Sequence, residues 1–399
     1  MGQIRLNGSA LLTNGESHVA LAVARSLGKK GIKVTAGSST PDGMVFHSKY
    51  CKAKFNYPSP PADEDGFIRS LADEASKGCY DVLFACDADT FMPVSKHRDK
   101  LTPHLNVPMP SHETMERAND KAKLVEAAMK AGVPCPKTIF NLESVTPSEA
   151  GEELGFPVVI KPNVSSGSTG LVYAGSAEEL QKAYESILGS HGSAILQEYV
   201  SGPKYGFSAL FNKDSEPRRA CVYRHIREYP ITGGPMCAGE TVHNPDVLNA
   251  GLNLLKAYRW YGVANMEFIV DERDGKPKVL DFNPRFFAGL SLALAAGVDY
   301  PHLLYKIATE GDIPANLGYK VGVLGRHLIL DDSRHMINVL KGAKTPKYET
   351  GRLRTALNYL KFHEYNTDYI ISLDDPAPAM HELLELTRRK TGRNTGGGR

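Results

Sequence analysis

A strand–helix–strand pattern near the N-terminus is the feature that most constrains the fold. Residues 10–13 are apolar, residues 17–27 carry apolar side chains at helical spacing, and residues 32–36 again form a strand pattern. Parallel strands need a crossover connection of this kind, whereas antiparallel strands can be joined by a tight turn. A buried-strand pattern over residues 81–86 would join the same sheet. The sequence therefore predicts an N-terminal α/β domain built on a parallel sheet.

The composition is that of a globular protein with room for two or three domains. The chain has 399 residues, of which 42% are hydrophobic and 23% charged, which excludes a disordered chain, a collagen-like repeat and a coiled-coil rod. The net charge is only +2, without the clustered basic excess of a nucleic-acid-binding protein. The longest nearly apolar stretch, Gly289–Val298, is about half as long as a membrane span. We therefore expect neither nucleic acid nor membrane as a partner.

Three absent signals narrow the class further. The six cysteines include no C-x-x-C pair, and scattered thiols of this kind are typical of a reducing compartment. The first residues, Met1–Leu6, lack the apolar core of a secretory signal. The turn Asn14–His18 does not supply the G-x-G-x-x-G motif of a dinucleotide-binding domain. These observations predict a cytoplasmic protein and do not favour a dehydrogenase.

The strongest chemical signal is a β-hairpin over residues 264–282. Glu267 and Asp281 are equidistant from the centre of its turn, so they should face each other with about 4.5–5.5 Å between their Cβ atoms. Asn283 projects from the same face as Asp281. Opposed carboxylates repel unless a cation lies between them, and Mg²⁺ commonly takes one or two carboxylates together with nucleotide phosphates. The alternative is a solvent-facing strand with splayed carboxylates, but Arg285 would place an anion-binding guanidinium beside the pair, which favours the metal site.

A loop of small residues is the second signal. Residues 163–170 contain two glycines and several serines, which allow backbone N–H groups to approach a polyphosphate closely. The loop lacks the residue order of a P-loop. Lys161, at the end of the preceding apolar strand, would meet the same phosphates as a point charge. Such a loop is also common as a surface linker, but its position between two strands favours a lid.

An extended apolar segment, Ile195–Gly202, is the third signal. Its backbone N–H and C=O groups could contact an adenine edge while its apolar side chains cover the ring. An ordinary core strand explains this segment equally well.

The order of these motifs resembles that of ATP-grasp enzymes, over roughly residues 10–310. The nearest branch is that of the carbamoyl-phosphate synthase large subunit and the carboxylate–amine ligases. Asn119-Asp120-Lys121, within a helix predicted over about residues 113–131, is the first motif. The others are Val158–Pro162 with Ser166-Gly167-Ser168, Gln197–Val200, Met266-Glu267-Phe268, and Asp281–Arg285.

The resemblance implies both a fold and a division into domains. The fold class is α/β and α+β, with a preATP-grasp parallel-sheet domain followed by an ATP-grasp fold that carries a small lid subdomain. We place the preATP-grasp domain at 1–112, the ATP-grasp domain at 113–310 with its lid at about 133–196, and a C-terminal extension at 311–399. Within that extension we expect one amphipathic helix, with Met380, Leu383, Leu384 and Leu386 on its apolar face, before a disordered tail.

The resemblance also implies roles for individual side chains, with ATP and Mg²⁺ (or Mn²⁺) as the bound groups. The matched positions are Lys121 and Lys161 for the ATP phosphates; Ser166, Gly167 and Ser168 for the phosphate-covering loop; Gln197, Glu198, Tyr199 and Val200 for the adenine hinge, with Glu198 beside the exocyclic amine; Glu267, Asp281 and Asn283 for the metal; and Arg285 for the acyl-phosphate region.

Two positions depart from the family pattern. Asp281 stands where the second metal-binding acid is usually Glu, which leaves open whether it can bridge two ions. Tyr205 stands where an acid usually contacts the ribose hydroxyls, and we expect it beside the nucleotide.

A cationic segment between the hinge and the hairpin is the candidate for substrate binding. On a strand, Arg224 and Arg227 point to opposite faces, and His225 shares the face of Arg227. We therefore predict that Arg227 contacts an acidic substrate or its acyl phosphate. Glu240 and the pair Asp87/Asp89 are candidates for amine recognition, which ordinary surface solvation explains equally well.

Together these features predict an ATP-dependent carboxylate–amine ligase that acts through an acyl phosphate, with Lys161, Arg227 and Arg285 as catalytic residues. Its partners would be ATP, a small carboxylate and a small amine, and the resemblance alone suggests a homodimer. Two alternatives stay open: carboxyphosphate chemistry on bicarbonate, as in carbamoyl-phosphate synthase, and a non-catalytic ATP-binding protein.

Overall fold

The computed structural model describes residues 8–142, 145–165, 167, 169–343 and 352–390. Its strands are β1 Ser9–Leu12, β2 Lys33–Ser38, β3 Cys51–Asn56, β4 Val82–Phe84, β5 Thr138–Ile139, β6 Val158–Pro162, β7 Val172–Ala174, β8 Ala194–Glu198, β9 Lys204–Phe211, β10 Pro217–Glu228, β11 Met236–Thr241, β12 Gly262–Val270, β13 Pro277–Asn283, β14 Leu324–Arg326 and β15 Thr367–Asp368. Its helices are α1 His18–Lys29, α2 Glu64–Ser76, α3 Ala88–Lys96, α4 Arg98–Leu101, α5 His112–Asn119, α6 Lys121–Lys130, α7 Pro147–Leu154, α8 Ala177–His191, α9 Pro245–Ala257, α10 Leu290–Ala295, α11 Tyr300–Thr309, α12 Ser333–Leu340, α13 Arg352–Tyr359 and α14 Ala377–Lys390.

The first sheet is parallel, as the strand–helix–strand pattern predicts. Its strand order is β3-β2-β1-β4, and every pairing in it is parallel. Helix α1 begins where the Ser17 side chain accepts a hydrogen bond from the Val19 N–H at 3.1 Å. Val19–Leu27 is buried without interruption, because α1 lies between this sheet and the rest of the molecule. The carboxyl ends of β1 and β4 therefore meet at one edge of the sheet.

A second, smaller sheet has a hydrophobic core of its own. Its order is β5-β8-β6-β7, all antiparallel. Val158 and Ile160 on β6 pack with Leu180 of α8 in this core. Because successive side chains on a strand point to opposite faces, Val159 and Lys161 face away from the helices. This sheet corresponds to the predicted lid.

The third sheet is the largest and has the order β13-β12-β9-β10-β11-β14-β15. On one face Phe207 and Phe268 pack with Leu254 of α9. On the other face Tyr223 lies across β9 at Gly206, where an added Cβ would be only 2.1 Å from the tyrosine ring. Gly206 is therefore needed for the close approach of this ring.

Two predicted helices differ from the structure in an informative way. The pattern over residues 113–131 forms two helices, because Asp120 has a non-helical backbone and its side chain caps α6 by accepting from the Ala122 N–H at 2.8 Å. The amphipathic helix near residue 380 exists as α14, but Met380 is 62% exposed whereas His381 and Glu382 are buried. The predicted disordered tail lies, beyond residue 390, outside the described residues. The domain boundaries at residues 112 and 310 stay predictions.

No helix in the described part of the chain is long and apolar enough to cross a bilayer.

A buried histidine at the start of α1 leads to a prediction about stability in acid. Burial, together with the nearby His327, lowers the pKa of His18 to about 4. Its Nε2 atom has no hydrogen-bond partner among the described residues. The unfolded chain therefore binds a proton near pH 6.5 that the folded protein takes up only near pH 4. As the pH drops through this window, the free energy of unfolding falls by about 3 kcal/mol.

We expect His18→Leu to flatten the loss of unfolding free energy between pH 6.5 and pH 4, measured by urea denaturation at several pH values. The exposed His104→Leu is the matched control and should keep the wild-type slope. An unchanged slope in His18→Leu would contradict the buried, neutral histidine.

Candidate active site

A cavity lies between the lid sheet and the third sheet, with charged groups at one end and an extended chain segment at the other. Its lining combines three lysines, several acidic side chains, several apolar side chains and an extended segment of backbone. These residues are Lys121, Lys161 and Lys204; Glu267, Asp281 and Glu272; Val159, Leu171, Ile269 and Leu280; and the segment Gln197–Gly202. Most of the residues predicted for ATP and metal therefore converge on one cavity.

The predicted carboxylate pair forms, but a β-bulge in the hairpin is needed to bring the two residues opposite each other. Glu267 on β12 lies directly opposite Asp281 on β13 in the antiparallel register. Immediately beyond this pair the register shifts, so that Phe268 pairs with Val279 and Leu280 is bulged out. As a result Leu280 and Asp281, although adjacent in sequence, both line the cavity. One strand thus presents an apolar side chain and a carboxylate to the same space.

Lys121 connects the carboxylate pair to the small-residue loop. Its ammonium lies 3.4 Å from Asp281 Oδ1 and donates to the Ser165 carbonyl at 3.0 Å. The backbone N–H of Lys121 also donates to the Asn163 carbonyl at 2.8 Å. The side chain is held in place because Asp120 interrupts the helix just before it and caps α6.

Lys161 lies on the cavity face of β6, where its surroundings disfavour the charged form of its side chain. Burial and the neighbouring Lys121 and Lys204 ammonium groups outweigh the attraction of Asp281 and Glu267, and lower the pKa of Lys161 to about 8. A bound polyphosphate would favour the charged form of Lys161, since it adds negative charge beside the three lysines.

The carboxyl group of Glu198 is already occupied by protein groups. It accepts from the Lys137 backbone N–H at 3.0 Å and pairs with Lys278 at 2.9 Å and Arg273 at 2.8 Å. Burial alone would raise the pKa of Glu198, but these three donors outweigh burial and lower it. The carboxylate of Glu198 is therefore not free to contact a bound base, and its backbone N–H already donates to the Lys137 carbonyl at 3.0 Å.

The rest of the hinge carries hydrogen-bonding groups without protein partners. Within the described residues, the N–H groups of Tyr199 and Val200 donate to no other group. Gln197 donates its amide N–H to Thr138 Oγ1 at 3.0 Å, while that hydroxyl donates to the Pro136 carbonyl. This fixes the amide orientation and leaves the buried Gln197 Oε1 without a partner in the described chain. Free donors and an acceptor beside apolar side chains suit the edge of a purine.

Strand β9 presents Lys204, and not Tyr205, to the cavity. Lys204 pairs with the cavity-lining Ile269, and Tyr205 pairs with Phe268, which packs in the core of the opposite face. The expectation that Tyr205 lies beside the nucleotide therefore needs correction. Lys204 Nζ is 3.3 Å from Glu228 Oε2. Burial alone would lower the pKa of Lys204, but the carboxylates of Glu228 and Glu267 raise it, so its positive charge is secure.

Lys204→Met should weaken both folding and nucleotide binding. The substitution removes the Lys204 ammonium from the fully buried Glu228 carboxylate, which keeps its contact with His225; loss of the ion pair costs about 3 kcal/mol of unfolding free energy. It also removes one of three positive charges from the cavity. Tyr205→Phe is the neighbouring control and should change stability by less than about 0.5 kcal/mol. Chemical denaturation and nucleotide titration of both variants measure this; equal effects would contradict the assigned strand faces.

The remaining predicted residues divide into three groups. Asn283 and Arg285 do not line this cavity: Asn283 Oδ1 accepts from Arg285 Nη2 at 3.2 Å, and Arg285 lies 3.7 Å from Asp87. Asn283 is the last residue of the strand that carries Asp281, and Arg285, two residues further on, points toward the N-terminal sheet. Gly167 has a left-handed backbone with φ of 61°, which suits glycine. Ser166 and Ser168 lie outside the described residues.

The predicted contact between Arg227 and substrate needs correction. Arg227 is buried and forms a two-point ion pair with Asp332, at 2.9 Å from Nη2 to Oδ2, and it also donates to Tyr365. The register of β10 is irregular between His225 and Glu228, so simple alternation does not hold there. His225 instead bonds to Glu228 at 2.7 Å, and Arg227 joins the third sheet to the C-terminal segment.

The donor set fits a divalent cation that carries nucleotide phosphates. Two carboxylates face each other across a hairpin, and oxygen ligands of this kind are those that Mg²⁺ prefers. The cation would also separate two charges that otherwise repel.

Comparison with known proteins agrees with this arrangement. Residues 118–289 match the ATP-grasp domain family. The N-terminal section of the carbamoyl phosphate synthase large chain of Methanopyrus kandleri is 25% identical over 210 residues, which cover 50% of this chain and 37% of that protein. The D-aspartate ligase of Enterococcus faecium is 25% identical over 241 residues, covering 53% of this chain and 56% of the ligase. The matches thus span about half or less of these curated relatives.

Similarity to solved structures extends over more of the chain. The biotin carboxylase domain of Hydrogenobacter thermophilus 2-oxoglutarate carboxylase, a dimer in complex with MgADP, ADP and bicarbonate, superposes with a TM-score of 0.65 at 18% identity. The match covers 79% of this chain and 73% of that one. The predicted fold class, a parallel-sheet domain followed by an ATP-grasp fold, is confirmed.

Proposed function

Because residues 118–289 match the ATP-grasp domain, this chain belongs to the ATP-grasp superfamily, and we propose that it is an ATP-dependent ligase that joins a carboxylate to an amine through an acyl phosphate. The observation that carries the proposal is the opposition of Glu267 and Asp281 in a cavity that also holds three lysines. The 25% identity to a D-aspartate ligase supports the C–N bond-forming reaction.

The nucleotide would lie along the length of the cavity. The free N–H groups of the hinge segment Tyr199–Val200 would bind the adenine edge, with Leu280 and Val159 against the ring. Lys121 and Lys161 would orient the phosphates, as would Lys204 beneath the lid. Glu267 and Asp281 would hold Mg²⁺, with Asn283 next to them on the strand. When bound, the cation neutralises the charge that develops on the transferred phosphoryl group.

The chain's own groups account for the rest of the proposed reaction. The lid loop around Gly167 would exclude water that hydrolyses the acyl phosphate. Arg285, two residues beyond the end of β13, would stabilise the oxyanion formed when the amine attacks. Asp87 lies 3.7 Å from Arg285 at the edge of the parallel sheet, so this side of Arg285 is where we place the substrates. No protein nucleophile is required, because ATP supplies the activating group.

The decisive experiment measures ADP release from ATP and Mg²⁺ with pools of amino acids and other small carboxylates, with and without amines. We expect turnover that requires both an organic carboxylate and an amine, with the ligated product detected by mass spectrometry. Turnover that instead requires bicarbonate, which is present in the Hydrogenobacter structure, would favour carboxyphosphate chemistry. Tight ATP binding without ADP release under every condition would contradict the ligase and favour a non-catalytic nucleotide-binding protein.

A further inference from the structure

A cluster of two histidines and one aspartate lies far from the ATP cavity, where the C-terminal helix meets the N-terminal sheet domain. Asp42 follows β2, His47 ends a short 3₁₀ turn, Met44–His47, and His381 lies on α14. One nitrogen or oxygen atom from each of the three lies within 4.8 Å of the others. No local sequence pattern indicates this cluster, because His381 is far along the chain from the other two.

The ligand atoms are close, and they are accessible from one side. His47 Nε2 lies 2.7 Å from Asp42 Oδ1, and His381 Nδ1 lies 3.7 Å from Asp42 Oδ2. The two imidazole rings stack with their centroids 4.0 Å apart. The His381 side chain is 10% exposed, whereas those of His47 and Asp42 are 34% and 57% exposed. A small ion could therefore enter from solvent and keep a water ligand on the open side.

Other contacts already hold the two segments together at this position. Arg25 of α1 pairs with Asp375 at 2.9 Å, and Ser48 donates to the same carboxylate at 2.7 Å. Lys49 pairs with Asp374. The segments that carry the three ligands are thus already joined by other contacts, so binding an ion requires only a local rearrangement of the three side chains.

The ligand types select among metals. Two imidazoles and one carboxylate suit Zn²⁺, Cu²⁺ or Ni²⁺, whereas Mg²⁺ prefers oxygen ligands and keeps several waters. With metal–ligand bonds of about 2.0–2.2 Å, the ligand atoms of a tetrahedral Zn²⁺ site lie roughly 3.4 Å apart. The 2.7 Å contact of His47 is to Asp42 Oδ1 and the 3.7 Å contact of His381 is to Asp42 Oδ2, so the carboxylate must turn to offer one oxygen or bind through both. Binding requires a rotation of the stacked rings and replaces the His47–Asp42 hydrogen bond with metal bonds, releasing the shared proton.

We propose that Asp42, His47 and His381 bind one divalent transition-metal ion, with Zn²⁺ as the best fit and water as the fourth ligand, and that the ion fastens α14 to the N-terminal sheet domain. The site is separate from the Glu267–Asp281 pair in both position and ligand chemistry. It therefore stands whether or not the proposed ligase activity does.

The test uses the full-length protein without a histidine tag, freed of metal by a chelator and kept in Mg²⁺. We expect one Zn²⁺ per chain by competition with a chromophoric chelator, a dissociation constant in the micromolar range or tighter, and a rise in unfolding temperature with Zn²⁺ concentration. Asp42→Asn, His47→Gln and His381→Gln should each weaken binding at least 10-fold. His112→Gln, which alters the His–Glu pair of α5 at 3.6 Å, is the matched control and should bind as wild type.

A second readout does not depend on stability. Co²⁺ bound to wild-type protein should give the visible absorption of a tetrahedral site, and His381→Gln should lose it. Absence of a one-to-one Zn²⁺ complex at micromolar concentrations, or equal binding in wild type and His381→Gln, would overturn the proposal and leave a stacked pair with a simple His–Asp hydrogen bond.

Discussion

Replacing Glu267 with Gln or Asp281 with Asn is expected to lower ATP turnover by about 10²–10³-fold while leaving the fold intact. Each change removes one charge from the opposed pair, and with it most of the attraction for a cation that neutralises the phosphates. Glu267→Gln removes like-charge repulsion across the hairpin but also the attraction of Glu267 for Lys204 and Lys161, so these opposing effects should leave the unfolding temperature close to that of the wild type. Steady-state ADP release at saturating Mg²⁺, together with thermal denaturation, measures both effects.

Asp274→Asn is the matched control for this pair. Asp274 lies in the turn of the same hairpin, where its side chain accepts from the Lys276 N–H at 2.9 Å, far from the cavity. Its turnover should stay near the wild-type value. If Glu267→Gln and Asp281→Asn also turned over ATP normally, the pair would not hold the nucleotide's cation.

Replacing Lys161 with Met is expected to raise the free energy of unfolding and to lower the affinity for ATP. The pKa of Lys161 is lowered from 10.5 to about 8, so below pH 8 the folded protein carries an ammonium that its surroundings disfavour. Removing it should raise the free energy of unfolding at pH 7 by up to about 3 kcal/mol. ATP affinity should fall at least 10-fold, because the same ammonium is poised to meet the phosphates.

The pH dependence of the free energy of unfolding of the same variant tests whether the Lys161 ammonium destabilises the folded protein. Between pH 8 and pH 10.5 the unfolded chain binds a proton at Lys161 that the folded chain has lost, so wild-type stability should rise with pH across this window through this group. Lys161→Met should lack this contribution. Lys182→Met, on helix α8 and paired among the described residues with Glu178 at 2.6 Å, should change neither stability nor affinity appreciably. A Lys161→Met variant that is less stable than the wild type and binds ATP normally would contradict the view that the folded protein disfavours the Lys161 ammonium and uses it to bind phosphate.

Local patterns predicted much of the fold and the facing carboxylates. Spacing alone does not oppose Glu267 and Asp281, because the register next to the turn, where Phe268 pairs with Val279, would place Glu267 opposite Leu280. The bulge at Leu280 moves Asp281 into that place, and the spacing of the residues does not show this bulge. The helix predicted through Asp120 failed for a local reason, since a capping side chain there competes with the helical backbone.

The wrong predictions for Tyr205 and Arg227 arise where a shift of one residue in strand register decides which face a side chain occupies. A shift of one position along a strand moves a side chain to the other face, which is why Lys204 and not Tyr205 lines the cavity. At Arg227 the irregular register of β10 breaks the expected alternation, and the partner, Asp332, lies 105 residues away. Contacts of this kind depend on tertiary packing that a single sequence does not encode locally.

The most direct test of the account is a crystal structure of the full chain with Mg²⁺ and a non-hydrolysable ATP analogue. We expect a cation bonded to carboxylate oxygens of both Glu267 and Asp281, with the triphosphate beside Lys121 and Lys161 and the adenine against Leu280. A nucleotide bound elsewhere, or a cation that touches neither carboxylate, would contradict it.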